Sequence, residues 1–283
     1  MTKRNDLVVF ILTHGRADNM KTDLTLRKQG YTGPIYYVID DEDEQEELYR
    51  EKYGEYVLQF SKTQEAERTD VMDNFGKTNG VVFARNKSQE MARELGYKYM
   101  LQFDDDYVSF SFRYEDGGKF RGITISDMDS LFSYMIDFLE ESGALTIAFA
   151  QGGDFIGGAN GNFKKGITRK AMNTFFYKTD TLAEFTGMIN EDVNMYCTLG
   201  SRGAKIFTIF AVSVNQQQTQ ANAGGLTDIY LDSGTYVKSF YSVMCCPSSI
   251  KVAVMGDGHY RLHHAIEWNA TVPKILNEKW RKG

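Results

Sequence analysis

Three apolar runs in the first 106 residues each end in a polar cluster, and this repetition restricts the fold more than any other feature of the chain. Leu7–Leu12 runs into Thr13-His14-Gly15-Arg16, Ile35–Ile39 into Asp40-Asp41, and Tyr99–Phe103 into Asp104-Asp105-Asp106. A short, wholly apolar run fits a strand buried on both faces of a parallel sheet. Helical patterns separate the runs. One over 17–29 closes at Gly30, acidic helical sequence after Asp41 leads to a short strand at Tyr56–Phe60, and Val81–Leu95 stops at Gly96. Strand and helix in alternation predict βαβ units. Ligands of such sheets bind beyond the carboxyl ends of the strands, which is where the polar clusters fall.

The second half predicts a helix over Ser126–Glu141, a strand over Leu145–Ala150 and a Gly-rich stretch from Gln151 to Gly161. A helix over Glu191–Leu199, a strand over Lys205–Val214 and a Gln/Asn-rich loop over Asn215–Gly225 follow, then a helix over 228–244, a strand near Lys251–Met255 and a histidine-bearing tail. Only 3 prolines occur, which excludes a Pro-rich hinge, and no internal repeat is visible. With 42% hydrophobic and 25% charged residues the composition excludes disorder. No apolar run approaches the ~20 residues of a membrane span, and the amino terminus reads as a first strand, not a cleaved leader. Three cysteines, two of them the neighbours Cys245 and Cys246, make no disulfide framework. These features predict a soluble intracellular protein.

Asp104 and Asp106 sit at alternate positions of an extended chain and so point to one side, where they can share a cation. Oxygen-only ligation suits Mg²⁺ or Mn²⁺, completed by waters and a substrate diphosphate; the alternative is a solvated acidic turn. Three of the four histidines, His259, His263 and His264, fall within six residues. Mn²⁺ accepts imidazole beside carboxylates, although a structural role stays open for each ring. Glu191-Asp192 opens a predicted helix with Asn190 as its cap. The helix dipole alone accounts for acids there, and a general base that deprotonates a hydroxyl is the other reading. The Gly-rich stretch lacks a phosphate-loop signature. Lys164, Lys165, Arg169 and Lys170 form a basic cluster, either solvated or set against a phosphate backbone.

In order and spacing, these motifs resemble a GT-A nucleotide-sugar glycosyltransferase. The resemblance rests on the Thr-His-Gly-Arg turn, Asp40-Asp41, Ala84-Arg85-Asn86, the Asp triplet, Glu191-Asp192 and a late histidine. More narrowly, the chain is similar to the phage TET-associated glycosyltransferases, which decorate hydroxymethylated pyrimidines in viral DNA. Gly-Gly-Ala-Asn-Gly, Glu-Asp-Val-Asn-Met and Gly224-Gly225 carry that narrower likeness.

The resemblance implies an α/β GT-A (Rossmann-like) fold: one domain with a mostly parallel central sheet flanked by helices, residues 1–106 holding the nucleotide-sugar and 107–283 the acceptor and catalytic groups. Thr13, Gly15, Arg16 and Asp40 would hold the nucleotide, Arg85 would approach the diphosphate, and Asp104 and Asp105 would contact the donor. Asp106, Asp104 and one of His259 or His263 would ligate Mn²⁺ or Mg²⁺. Asp192, with Glu191 beside it, would be the base, and the Lys164–Lys170 cluster would meet double-stranded DNA carrying 5-hydroxymethylcytosine. The donor is expected to be a UDP-sugar and the location cytoplasmic, in an infected host cell if the protein is viral. A glycan or protein acceptor is the alternative, and a non-catalytic nucleotide-binding module a second one that the surviving acids disfavour.

Overall fold

The computed structural model describes residues 4–217, 227–256 and 260–274, with backbone alone for 227–235. In chain order the elements are β1 (Leu7–Leu12), α1 (Thr22–Lys28), β2 (Ile35–Asp40), α2 (Glu46–Tyr53), β3 (Val57–Phe60), α3 (Lys62–Arg68), α4 (Val82–Glu94) and β4 (Tyr99–Asp104). Next come β5 (Tyr107–Asp116), β6 (Lys119–Thr124), α5 (Met128–Ser142), β7 (Thr146–Ala150), β8 (Ile167–Thr168), β9 (Thr174–Lys178) and α6 (Glu191–Ser201). The chain continues with β10 (Ile206–Gln216), α7 (Thr227–Cys245), β11 (Ile250–Met255) and β12 (Arg261–Ile266).

Ten strands form one sheet in the order β3-β2-β1-β4-β9-β7-β10-β5-β6, with β8 also paired to β10. Following the pairings along this order, β5, β8 and β9 run against the other seven. The sheet is therefore mostly parallel, and one reversed strand, β9, separates β4 from β7. The apolar run of β1 is explained by two cores. Leu7, Val9 and Ile11 join Leu26 of α1, Tyr49 of α2 and Phe132 and Ile136 of α5 on one face. Val8, Phe10 and Leu12 join Phe83 of α4, Val193 and Met195 of α6 and Tyr241 of α7 on the other. Alternating side chains thus enter opposite cores, so every position must be apolar.

The helix expected from residue 17 begins only at Thr22. Its opening amides, Lys21 N and Thr22 N, donate to the Asp105 carbonyl at 2.9 and 3.2 Å, so the preceding residues are tied to the acidic turn instead of being wound into the helix. Elements beyond the expectation are α3, β5, β6, β8, β9 and β12. The β5–β6 hairpin has a clear signal: alternation over 107–116, then Gly117-Gly118, both at positive φ as a primed two-residue turn requires. Among the described residues no helix is long and apolar enough to cross a membrane. Residues 218–226 of the Gln/Asn-rich loop, and His259, lie outside the described residues.

Candidate active site

The strand order reverses at β1, which has β2 on one side and β4 on the other, with Leu12 opposite Asp104. A crevice opens at such a reversal. Here it brings the Thr13–Arg16 turn against the Asp triplet. Thr13 Oγ1 donates to Asp105 Oδ2 at 2.7 Å and Arg16 Nη1 to Asp105 Oδ1 at 2.6 Å. Both oxygens of Asp105 are therefore engaged within the protein, and its side chain is 5% exposed. Asp105 thereby holds this turn against the end of β4. The turn's amides are bound as well: Gly15 N, at φ +66°, donates to Asp43 Oδ2, Arg16 N to the Tyr49 hydroxyl and Ala17 N to Gln45 Oε1, all at 2.8–2.9 Å.

Asp40 lies at the end of β2 and accepts from Glu42 N at 3.0 Å, with His14 Nδ1 at 2.8 Å and Lys62 Nζ at 3.2 Å. Burial opposes its charge, but His14 and Lys62 offset this and hold its carboxyl below the usual range. His14, Asp43, Tyr49 and buried Lys62 complete this pocket wall. Of these the motif reading quoted only His14, and gave it no role.

Arg85 of α4 is buried and forks between two segments far apart in sequence. Its Nη2 donates to Asp104 Oδ1 at 3.1 Å, Nε to Glu191 Oε1 at 3.0 Å and Nη1 to Gln102 Oε1 at 3.1 Å. Phe175 lies under the guanidinium at 4.9 Å. Arg85 thus joins the end of β4 to the start of α6. Three of its donors are directed at protein acceptors, which positions Asp104 and Glu191. Burial raises the Asp104 carboxyl; Arg85 opposes the shift, and Glu191 and Asp105 reinforce it.

Asp106 is the least compensated acid. Its Oδ1 is buried without a hydrogen-bond partner. Burial, then Asp104 and Asp105, push its carboxyl up to about 7. An orphaned carboxylate oxygen beside a second carboxylate is the donor set a hard divalent cation takes. The residues present fit such a cation. Among the described residues no three His, Cys, Asp or Glu side chains gather into a metal shell.

Because its folded-state pKa is raised, Asp106 opposes folding increasingly as pH climbs from about 4 to about 7. Asp106→Asn is accordingly expected to stabilise the metal-free protein by about 1–2 kcal/mol above pH 7, after discounting for solvent screening. The advantage should vanish near pH 4. Thermal melts at pH 5 and 8 check this; a variant less stable than wild type at pH 8 contradicts it.

Glu191 and Asp192 occupy the first turn of α6. Asp192 Oδ1 accepts from Val193 N at 2.8 Å, and burial together with Glu191 pushes its carboxyl up to about 7. Burial prevails over the helix dipole here. Asn190 does not cap the helix with its side chain, as the sequence suggested. It sits in the left-handed region at φ +55°, and its amide donates to Lys238 O at 2.9 Å and Ser242 Oγ at 3.1 Å of α7. A non-glycine residue held in this conformation by an adjoining helix fixes the entry angle of α6.

Other candidates lie apart. The His263 ring on β12 lies tilted against that of His264, with centroids 4.3 Å apart. Burial, Arg261 and Lys238 lower His263's pKa, while burial, His263 and Lys238 bring His264 down to about 4. The structure does not bring His263 into a shell with Asp104 and Asp106. In the basic cluster Lys164, Lys165 and Arg169 are exposed; Arg169 Nη2 donates to Trp268 O at 2.8 Å, and half-buried Lys170 pairs with Asp154. A cavity of about 210 Å³ lined by Tyr196, Gly200, Phe207 and Pro273 lies toward the far end of α6 and holds none of these acids.

Comparison with known proteins adds the lineage. A mycobacterial protein of known crystal structure superposes with a TM-score of 0.50 at 9% identity, over 92% of this chain and 83% of that one. Glucosyl-3-phosphoglycerate synthase from Mycobacterium tuberculosis, crystallised with Mg²⁺ and UDP, gives 0.49 at 10% identity over 92% and 87%. TarS of S. aureus gives 0.42 at 15% identity over 73% and 59%. No curated protein matches by sequence. The family model described as TET-Associated Glycosyltransferase matches residues 7–225. With a GT-A sheet whose acids gather at the strand-order reversal, the chain belongs to the TET-associated glycosyltransferases.

Proposed function

We propose that this glycosyltransferase moves a sugar from a UDP-sugar to the hydroxymethyl group of 5-hydroxymethylcytosine in DNA. The observation that carries the donor side is the uncompensated Asp106 beside Asp104 at the strand-order reversal. These two carboxylates would hold Mn²⁺ or Mg²⁺, the metals crystallised with UDP in glucosyl-3-phosphoglycerate synthase. Such a cation neutralises charge that develops on the departing diphosphate. Residues 1–106 form the donor half, with the Thr13–Arg16 turn and the Asp40 wall bordering the nucleotide. Arg85 acts from behind, keeping Asp104 and Glu191 in place.

Residues 107–283 supply the acceptor half. An acceptor alcohol has a pKa far above 7, so its oxygen attacks the anomeric carbon as its proton passes to a positioned carboxylate. Asp192, with a carboxyl near 7, is matched to that exchange. The acceptor identity is supported by family membership and by the exposed Lys164 and Lys165 on a chain of net charge −6.

The test is mass spectrometry of nucleosides from 5-hydroxymethylcytosine DNA incubated with the protein, Mn²⁺ and a panel of UDP-sugars. A hexose or pentose mass gain is expected. No gain while UDP still binds would move the acceptor to a glycan or protein.

A further inference from the structure

Between β7 and β8 the chain makes a Gly-rich excursion whose tip exposes one isoleucine. Ile156 is 78% exposed, among the most exposed of the large apolar side chains. A single exposed apolar residue ordinarily calls for no explanation. This one differs in how it is presented. Gly157 and Gly158 follow it at φ +86° and +56°, and a Cβ at Gly161 would stand 2.2 Å from the Ile156 carbonyl oxygen. Three glycines therefore allow the turn that projects it.

The flanks are pinned. Buried Asp154 accepts from Gln151 N at 2.9 Å and pairs with Lys170. Phe155 packs on Phe120 at 5.2 Å and on Phe210 at 6.0 Å, Phe163 on Phe120 at 4.9 Å, and the Arg113 guanidinium lies over Phe155 at 5.4 Å. Ile156 alone is left outside this aromatic cluster. Just beyond it, the ammonium of exposed Lys164 has no hydrogen bond or ion pair among the described residues, and that of exposed Lys165 meets only the neutral Asn162.

The excursion also begins beside the chemistry. β7 and β4 run in the same direction, so Gln151 leaves the sheet at the edge where Asp104–Asp106 lie. Burial and the carboxylates of Asp192 and Asp154 hold the buried Tyr196 phenol well above its ordinary pKa, so the root of the excursion and the proposed base flank one side chain.

We infer that Ile156 is a wedge that enters the base stack of duplex DNA, with Lys164 and Lys165 on the adjoining phosphates, so that the modified base leaves the helix and reaches the crevice. This rests on the DNA acceptor proposed above. The physical need is plain: the acceptor hydroxyl must meet Asp192, in the first turn of α6 beside buried Glu191, and a base stacked in a duplex cannot be brought there. Enzymes that act on a base in that position extrude it, and apolar side chains inserted at a base step unstack it. Cations beside the wedge match the polyanion, and glycines that fix the turn lower the ordering cost of binding.

The experiment uses duplex DNA carrying 5-hydroxymethylcytosine with 2-aminopurine as its neighbour, and the same strand alone. Wild type is expected to raise 2-aminopurine fluorescence on binding the duplex and to modify both substrates. Ile156→Ser should lose the fluorescence rise and at least about tenfold in kcat/KM on duplex, with a far smaller change on the single strand. Ile156→Leu should restore both. Lys164→Gln with Lys165→Gln should lower the salt slope of duplex binding by about 2. Equal losses on duplex and single strand, or a fluorescence rise unchanged in Ile156→Ser, would overturn the wedge while the acceptor stands. A wild-type protein that modifies neither substrate would remove the acceptor, and the wedge with it.

Discussion

Asp192→Asn is expected to lower sugar transfer by about 10²–10⁴-fold, the usual contribution of a positioned general base, and to leave Mn²⁺-dependent UDP binding intact. Asn nearly matches Asp in size and its side-chain oxygen can still accept from Val193 N, so α6 keeps its first turn. Only proton acceptance is lost. The pH dependence gives a second reading. A base works deprotonated, so wild-type kcat at saturating donor should climb through about pH 7, where burial and Glu191 have brought the Asp192 carboxyl. That limb should be absent in the variant. Wild-type turnover by Asp192→Asn would return Glu191-Asp192 to a role at the helix dipole.

The largest stability effect is expected at Arg85. Breaking a buried ion pair by removing one partner costs about 3–5 kcal/mol, because the remaining charge stays buried and uncompensated. Arg85→Met leaves both Asp104 and Glu191 in that condition and also strands Gln102 Oε1. Against a typical total of about 5–15 kcal/mol such a loss is severe, and urea midpoints will measure it. Arg85→Lys keeps the charge but not the planar fork that reaches three acceptors, so it should fall between Met and wild type. A midpoint for Arg85→Met equal to that of wild type would contradict the network.

Much of this architecture is legible in local pattern. β1, β2 and β4 announce themselves as apolar runs, their polar ends mark the crevice, and α4, α6 and α7 fall within a few residues of the expected ranges. β9 is not placed by such reasoning: its apolar run suits any buried strand, and nothing local says that it runs reversed between β4 and β7. The same limit governs the site. Residue types at Asp104–Asp106 and Glu191-Asp192 indicate acid chemistry, but which acid is neutralised depends on partners 19 to 106 positions away. Arg16 reaches Asp105 across 89 positions, and Arg85 reaches Glu191 across 106. Asp105 and Arg85 therefore make internal contacts in the fold that no local pattern announces. Asp106 Oδ1, beside them, is left without a hydrogen-bond partner. The partners of Arg169 and Lys170, Trp268 and Asp154, likewise carry no local mark.

The central claim is that Asp106 and Asp104 form an incomplete cation site which a nucleoside diphosphate completes. Calorimetric titration of UDP into wild type and Asp106→Asn, each with and without Mn²⁺ at pH 8, tests it most directly. The account predicts tight binding only for wild type with Mn²⁺, weakening as pH falls below about 7 and Asp106 takes up its proton. UDP affinity that is independent of Mn²⁺, or unchanged in Asp106→Asn, would contradict it.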